Sequence, residues 1–342
     1  MRREVLCVNV LAIMLLSSMC IFAQNMEKNP QKEENFYTKS LHFTNKGFEY
    51  LYAKEQGGIE RITSLPITEM GCMKAKCHVQ TCDTCHKKEV NGKSVYSVEP
   101  SIAETACNKC HPVDKDDPDV HFRKGMKCMD CHTVREIHGD GTAYNTYMQA
   151  GFFDTSCEKC HASISKSISH TVHNGKLDCN PCHVKDFPAC LNCHIDTRLK
   201  ESKDVQIQLK NIFFLVNHDR KVTLANFLTY VYQNKTMITF APYFPHSIKK
   251  EGRKCEECHN TSIVKNIKKN KFFPVTWANG EIKNVEGMIP VLEGMKWNIV
   301  FLNYENGKWF PLQNPAEPLL NYSGWCSPLT HEQFTKLEKA QK

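Results

Sequence analysis

One pattern constrains this 342-residue chain more than any other: two nearby cysteines with a histidine directly after the second, written eight times. Seven copies leave two residues between the cysteines. They are Cys82, Cys85 and His86; Cys107, Cys110 and His111; Cys128, Cys131 and His132; Cys157, Cys160 and His161; Cys179, Cys182 and His183; Cys190, Cys193 and His194; and, standing apart, Cys255, Cys258 and His259. The remaining copy, Cys72, Cys77 and His78, leaves four. Zinc ribbons also use cysteine pairs, but zinc has no need of a histidine after every second cysteine. A disulfide framework would use many cysteines without fixing their spacing.

C-x-x-C-H is the attachment signature of c-type haem. Two thiols on a short loop add to the two vinyl groups on one edge of the porphyrin, and the next residue brings its imidazole under the ring as the proximal iron ligand. The chain is thus expected to carry eight covalently attached haem c groups, with the sixteen motif cysteines as attachment points and the eight motif histidines as proximal ligands. Cys72 to His78 is counted among them, because the wider loop is a known variant and Lys74, Ala75 and Lys76 present no obstacle.

Composition bears on what such a chain can bury. Hydrophobic content is 41% and mean hydropathy −0.46, which is short of a large core for this length. Haems are apolar plates that side chains pack against, and they substitute for that core. The fold class expected is a multihaem cytochrome c of mostly short helices and loops wrapped around eight haems. Little sheet is expected except β-hairpins in 205–245 and 272–312, where alternating apolar residues flank turn residues such as Asn279-Gly280 and Asn306-Gly307. All four tryptophans lie in 277–325 and read as core of that β-rich module.

The expected organisation is a signal peptide at 1–23, a flexible lead at 24–40, a seven-haem cassette at 41–200, a β-hairpin insert at 201–250, and the eighth haem with a β-rich segment at 251–342. Arg2 and Arg3, the apolar stretch from Val5 to Phe22 and the site at Ala23 carry the signal-peptide reading. A retained anchor is the alternative, against which Asn9, Ser17 and Ser18 count; lipidation at Cys20 is another, with Met19 an unusual neighbour. Export suits haem c, which is attached outside the cytoplasm, so the periplasm or the cell surface is the expected location. No transmembrane segment is expected in the mature chain. The net charge of +7 would suit nucleic acid, but eight haems bring about sixteen propionate charges, and nucleic-acid binding is not expected. Cys326 is left over, either a buried thiol or an intermolecular one.

Of sixteen histidines, eight lie outside the motifs: His42, His121, His138, His170, His173, His218, His246 and His331. Eight irons with two histidines each would use all of them. The first, second, third, fourth, fifth and seventh of these are stronger candidates for distal ligands, most of them lying close to a motif. His218 sits in an expected turn, Asn217-His218-Asp219-Arg220. His331 opens a short terminal helix, where Thr330 and Gln333 form a capping-box pattern. Either could equally face solvent.

The run from Asp119-Val120-His121 through Cys128-Met129-Asp130-Cys131-His132 and His138 to Cys179 and His183 resembles the haem cassette of octahaem c-type cytochromes that include octahaem tetrathionate reductase. It is similar, too, to multihaem electron-transfer cytochromes of anaerobic metal- and sulfur-metabolising bacteria. The resemblance covers about half the chain. It departs from some multihaem nitrite reductases, since no motif ends in lysine. Two functions are implied. One is electron conduction through closely spaced bis-histidine haems to partner cytochromes, including extracellular electron transfer, with self-assembly into a filament as a further expectation. The alternative is an octahaem reductase of sulfur or nitrogen oxyanions, such as tetrathionate, nitrite or hydroxylamine, with one open or lysine-ligated haem. The histidine count favours the carrier, so no catalytic residue is assigned and an enzyme is the less expected outcome.

Overall fold

The computed structural model describes residues 36–44, 46–70, 79–98, 100–111 and 119–339. The signal peptide at 1–23, most of the lead at 24–40, and Cys72, Cys77 and His78 lie outside the described residues.

Two regions differ in what they bury. In the described part of 79–183, only Ala106, Phe152 and Pro181 are buried apolar residues. Short helices of about one turn and connecting loops make up most of it, with one exposed hairpin of β1 (Lys87–Val90) and β2 (Lys93–Tyr96). From Val184 onward the chain builds an ordinary core. Its sheet has seven strands: β3 (Ala189–His194), β4 (Ile207–Leu209), β5 (Ile212–His218), β6 (Lys221–Tyr232), β7 (Lys235–Ala241), β10 (Gly287–Pro290) and β14 (Leu319–Asn321). The twelve-residue β6 joins most of it, pairing antiparallel with β5 and β7 and parallel with β3. Strands β10 and β14 add in parallel to β5 and β7. Beside this lie a three-stranded sheet of β8 (Phe272–Ala278), β9 (Glu281–Asn284) and β11 (Lys296–Ile299), and a hairpin of β12 (Leu302–Glu305) and β13 (Lys308–Pro311).

The expectation of little sheet is therefore corrected: about 30% of the chain is helix and 27% strand, in several multi-stranded sheets. The reason is physical. Segments 207–241 and 272–302 contain enough Phe, Ile, Leu and Val to bury one another without a cofactor. Phe214, Phe227, Phe240 and Phe273 are all at most 1% exposed, with the Phe214 and Phe227 rings 4.4 Å apart. Parallel partners such as β10 on β5 come from distant sequence, where local alternation gives no notice of them. A second, smaller core joins Ile59, Ile62, Ile67 and Met70 to Ile195, Tyr230 and Met237 on the sheet. Among the described residues no helix is long and apolar enough to cross a membrane.

Candidate functional site

Six of the seven described motifs share one backbone conformation. The chain makes a single α-turn, closed by the histidine N–H donating to the carbonyl of the first cysteine. The distance is 2.9 Å from His86 to Cys82, 2.8 Å from His111 to Cys107, 2.9 Å from His132 to Cys128, 2.9 Å from His161 to Cys157, 3.0 Å from His183 to Cys179 and 2.8 Å from His259 to Cys255. One α-turn is what a spacing of four residues allows. It puts the two cysteines, three residues apart, and the histidine that follows on neighbouring positions of one turn.

Each of these six imidazoles faces a histidine from outside the motifs. Ring centroids are 6.3 Å apart for His111 and His42, 5.9 Å for His86 and His138, 6.1 Å for His161 and His121 and 6.0 Å for His132 and His246. For His183 and His170 the spacing is 6.2 Å, and for His259 and His173 it is 6.0 Å. An imidazole on a metal keeps the ion about 2.0 Å from its nitrogen and about 3.1 Å from its centroid, so two rings on opposite sides of one metal stand about 6.2 Å apart. Six pairs within a few tenths of that value, each joining one motif and one outside histidine, make a repeated two-ligand arrangement.

Hydrogen bonding fixes the tautomer. Nδ1 donates to a backbone carbonyl in His86 (Ser97), His138 (Val134), His170 (Ser165), His173 (Ser169), His183 (Lys249) and His259 (Lys336). In His121 and His132 it donates to the buried carboxylates of Asp119 and Glu136, at 2.7 and 3.0 Å. With the proton held on Nδ1, the lone pair these rings offer a metal is on Nε2. Burial lowers the pKa of His42, His111, His138, His246 and His259, and neighbouring imidazoles add to it, which favours the neutral form of these rings. Burial also pushes the Cys107 thiol up to about 11 and Cys258 to about 12, which keeps them from acting as thiolates. Among the described residues no three His, Cys, Asp or Glu side chains gather as a cation site.

The six motifs form one file. Cysteines of successive motifs are close enough to interact: Cys85 with Cys110, Cys107 with Cys128, Cys131 with Cys160, Cys157 with Cys179, and Cys182 with Cys255. The file passes from the fifth of these motifs to Cys255 and skips Cys190 to His194.

That skipped motif is built differently. Cys190, Cys193 and His194 lie on β3, with a register break between the cysteines, and the His194 N–H donates to the Val205 carbonyl instead of closing an α-turn. Nε2 of His194 donates to Asn303 Oδ1 at 2.7 Å, while Nδ1 accepts from the Thr197 hydroxyl at 2.8 Å, the reverse of the tautomer elsewhere. Tyr304 and Trp309 are its aromatic neighbours. With Cys193 it lines a cleft of about 220 Å³ that Tyr52, Arg198 and Tyr230 also border.

Among the described residues His218 and His331 are not brought to a motif histidine. His218 stacks on Trp325 at 4.5 Å and donates from Nδ1 to the Trp325 carbonyl. His331 is an exposed first residue of the helix His331–Glu338, capped by Thr330 and Gln333. Asp119, Glu136 and Asn303 are the site residues sequence reasoning missed. Thr133-x-x-Glu136 does carry a capping-box signature, and the box is present, but nothing local announces that Glu136 also holds His132. No family model matches the chain, and comparison with curated proteins and solved structures finds no match either.

Proposed function

We propose that the protein is an exported octahaem c-type cytochrome that carries electrons through a file of closely spaced centres. The observation that carries this reading is the set of six histidine pairs, each at the separation of two imidazoles sharing one metal and each beside two cysteines at attachment spacing. The residues fit the group. Cysteines of each motif would hold the group covalently, and the two paired imidazoles would hold its iron. Val134, Ile164, Ile168 and Val172, which flank the pairs, are between 48% and 81% exposed, apolar surface that a flat apolar plate would cover. For Cys72 to His78 and Cys190 to His194 the proposal rests on their sequence alone.

Haem supplies reversible one-electron exchange. The chain's part would be to fix the order and spacing of the centres and to offer two imidazoles to each, which would keep small molecules from the iron. Partners of this reading are other redox proteins that dock at the ends of the file, and a second copy of the chain is one such partner.

The second reading, a reductase of sulfur or nitrogen oxyanions, is favoured by one observation. Among the described residues no histidine faces His194, which borders a cleft of about 220 Å³, room for a small anion. Electron paramagnetic resonance of the oxidised protein, with haem quantified, separates the two. Only low-spin signals, unmoved by cyanide or nitrite, support the carrier; a high-spin centre that takes up either anion and is lost in His194→Ala supports the reductase. Absence of covalent haem refutes both.

A further inference from the structure

Two adjacent centres in the middle of the file differ from the rest in what holds their imidazoles. Of the twelve paired rings eight have a described Nδ1 bond, and in six of these the acceptor is a neutral backbone carbonyl. In the other two it is a carboxylate. Glu136, with its side chain 3% exposed, takes His132 Nδ1 at 3.0 Å. Asp119, with its side chain 5% exposed, takes His121 Nδ1 at 2.7 Å. His132 pairs with His246 and His121 with His161, so the two carboxylates serve the third and fourth motifs of the six.

Both carboxylates are held in place. Glu136 accepts from the backbone N–H groups of Thr133, Asp154 and Thr155 and from the Thr155 hydroxyl. Asp119 accepts from the N–H groups of His121 and Ile248, at 2.8 and 2.7 Å. Five backbone N–H groups are thereby committed to keeping two negative groups against two ligand rings. A carboxylate draws the Nδ1 proton toward itself, raises the donor strength of Nε2 and favours the more positive state of whatever metal that nitrogen binds. Its charge, in a site shielded from water, acts in the same direction.

We infer that Glu136 and Asp119 are positioning residues that make the third and fourth centres of the file the hardest to reduce. This rests on the cytochrome reading above. Electrons entering either end occupy the outer centres first, and the middle two form the step that governs passage between the halves.

The test uses holoprotein, with haem content measured first and potential-resolved optical titration second. Glu136→Gln and Asp119→Asn keep an acceptor oxygen and remove the charge. In each variant one of the lowest-potential components is expected to become easier to reduce, its ferrous-to-ferric ratio at fixed potential rising about tenfold, 59 mV for one electron. The double variant should move two components. Asp140→Asn, which alters an exposed carboxylate bonded to Arg135, should move none. Should Glu136→Gln fail to fold, Asp119→Asn decides alone. Unmoved low-potential components, or movement only at the high-potential end, overturn the inference while leaving the cytochrome reading intact. A wild-type protein without covalent haem overturns both.

Discussion

His170 and His173 offer the most searching test of the pairings. They lie three residues apart on one short helix, Ile168–His173, so they project from nearly the same side. Yet they face different motifs: His170 stands 6.2 Å from His183, and His173 stands 6.0 Å from His259. Replacing either by alanine removes one of two protein ligands from one centre and leaves the others alone. With eight signatures loaded, His170→Ala should convert one eighth of the iron from low-spin to high-spin, His173→Ala a different eighth, and the double variant one quarter. The assay is haem quantification followed by resonance and absorption spectra of the oxidised protein. Added imidazole should restore the lost low-spin signal in each single variant, since the cavity left by the ring admits it. His218→Ala and His331→Ala should leave the same spectrum as wild type, because His218 stacks on Trp325 and His331 is exposed. A fully low-spin His170→Ala protein, or a high-spin centre appearing in His218→Ala, would refute the reasoning.

Two further outcomes follow from the packing and the charges. Expressed without haem attachment, the chain should be cut by protease throughout 79–183 while the region after Val184 resists; Phe214→Ala, which deletes a ring at the centre of the aromatic core, should cost about 3–5 kcal/mol and abolish that resistance. Burial opposes ionisation of Glu136, but hydrogen bonds from Thr155, Thr133 and His132 outweigh it and hold its carboxyl below the ordinary value. The stability it contributes is complete above the ordinary carboxylate range, about 4.3, and is lost as pH falls through the depressed folded value. Thermal melts from pH 7 to 3 should show an acid limb that flattens in Glu136→Gln.

What the sequence made legible was local. Eight cysteine-histidine signatures are spelled out in it, and a spacing of four residues is enough to close the α-turn that six of them adopt. Hairpin turns at Asn279-Gly280 and Asn306-Gly307 are equally local, both residues of each taking positive φ. The pairings of outer with motif histidines were not legible. His246 meets His132 only because the chain from 189 to 241 forms a sheet and returns, and no short-range pattern encodes a return. Cys190 to His194 illustrates the opposite error. Its spelling is that of its neighbours, but Ala189 and Leu191 are drawn into the core beside β6, and the strand they form overrides the turn. The low apolar content of the whole chain concealed that apolar residues are concentrated after Val184.

That concentration also explains how a file of sites can be continued across a long gap in sequence. Cys182 and Cys255 are neighbours, although strands β3 to β7 intervene between them. Their approach is made by backbone, not by any cofactor. Val184 bridges Ile248, the Lys249 N–H donates to His183 at 2.7 Å, and the Arg253 N–H donates to Cys182 at 3.0 Å. The Arg253 guanidinium then lies 4.0 Å over the ring of Phe213 on β5, which ties this junction to the sheet core. A region that buries almost no apolar side chain of its own could not hold such a spacing by itself. The sheet serves as the rigid body that brings the fifth and sixth sites of the file together, and the cost of closing the intervening loop is offset by strand pairing and the aromatic core instead of by the sites. The ordering of the file thus depends on strand pairing and aromatic packing that lie outside its six motifs.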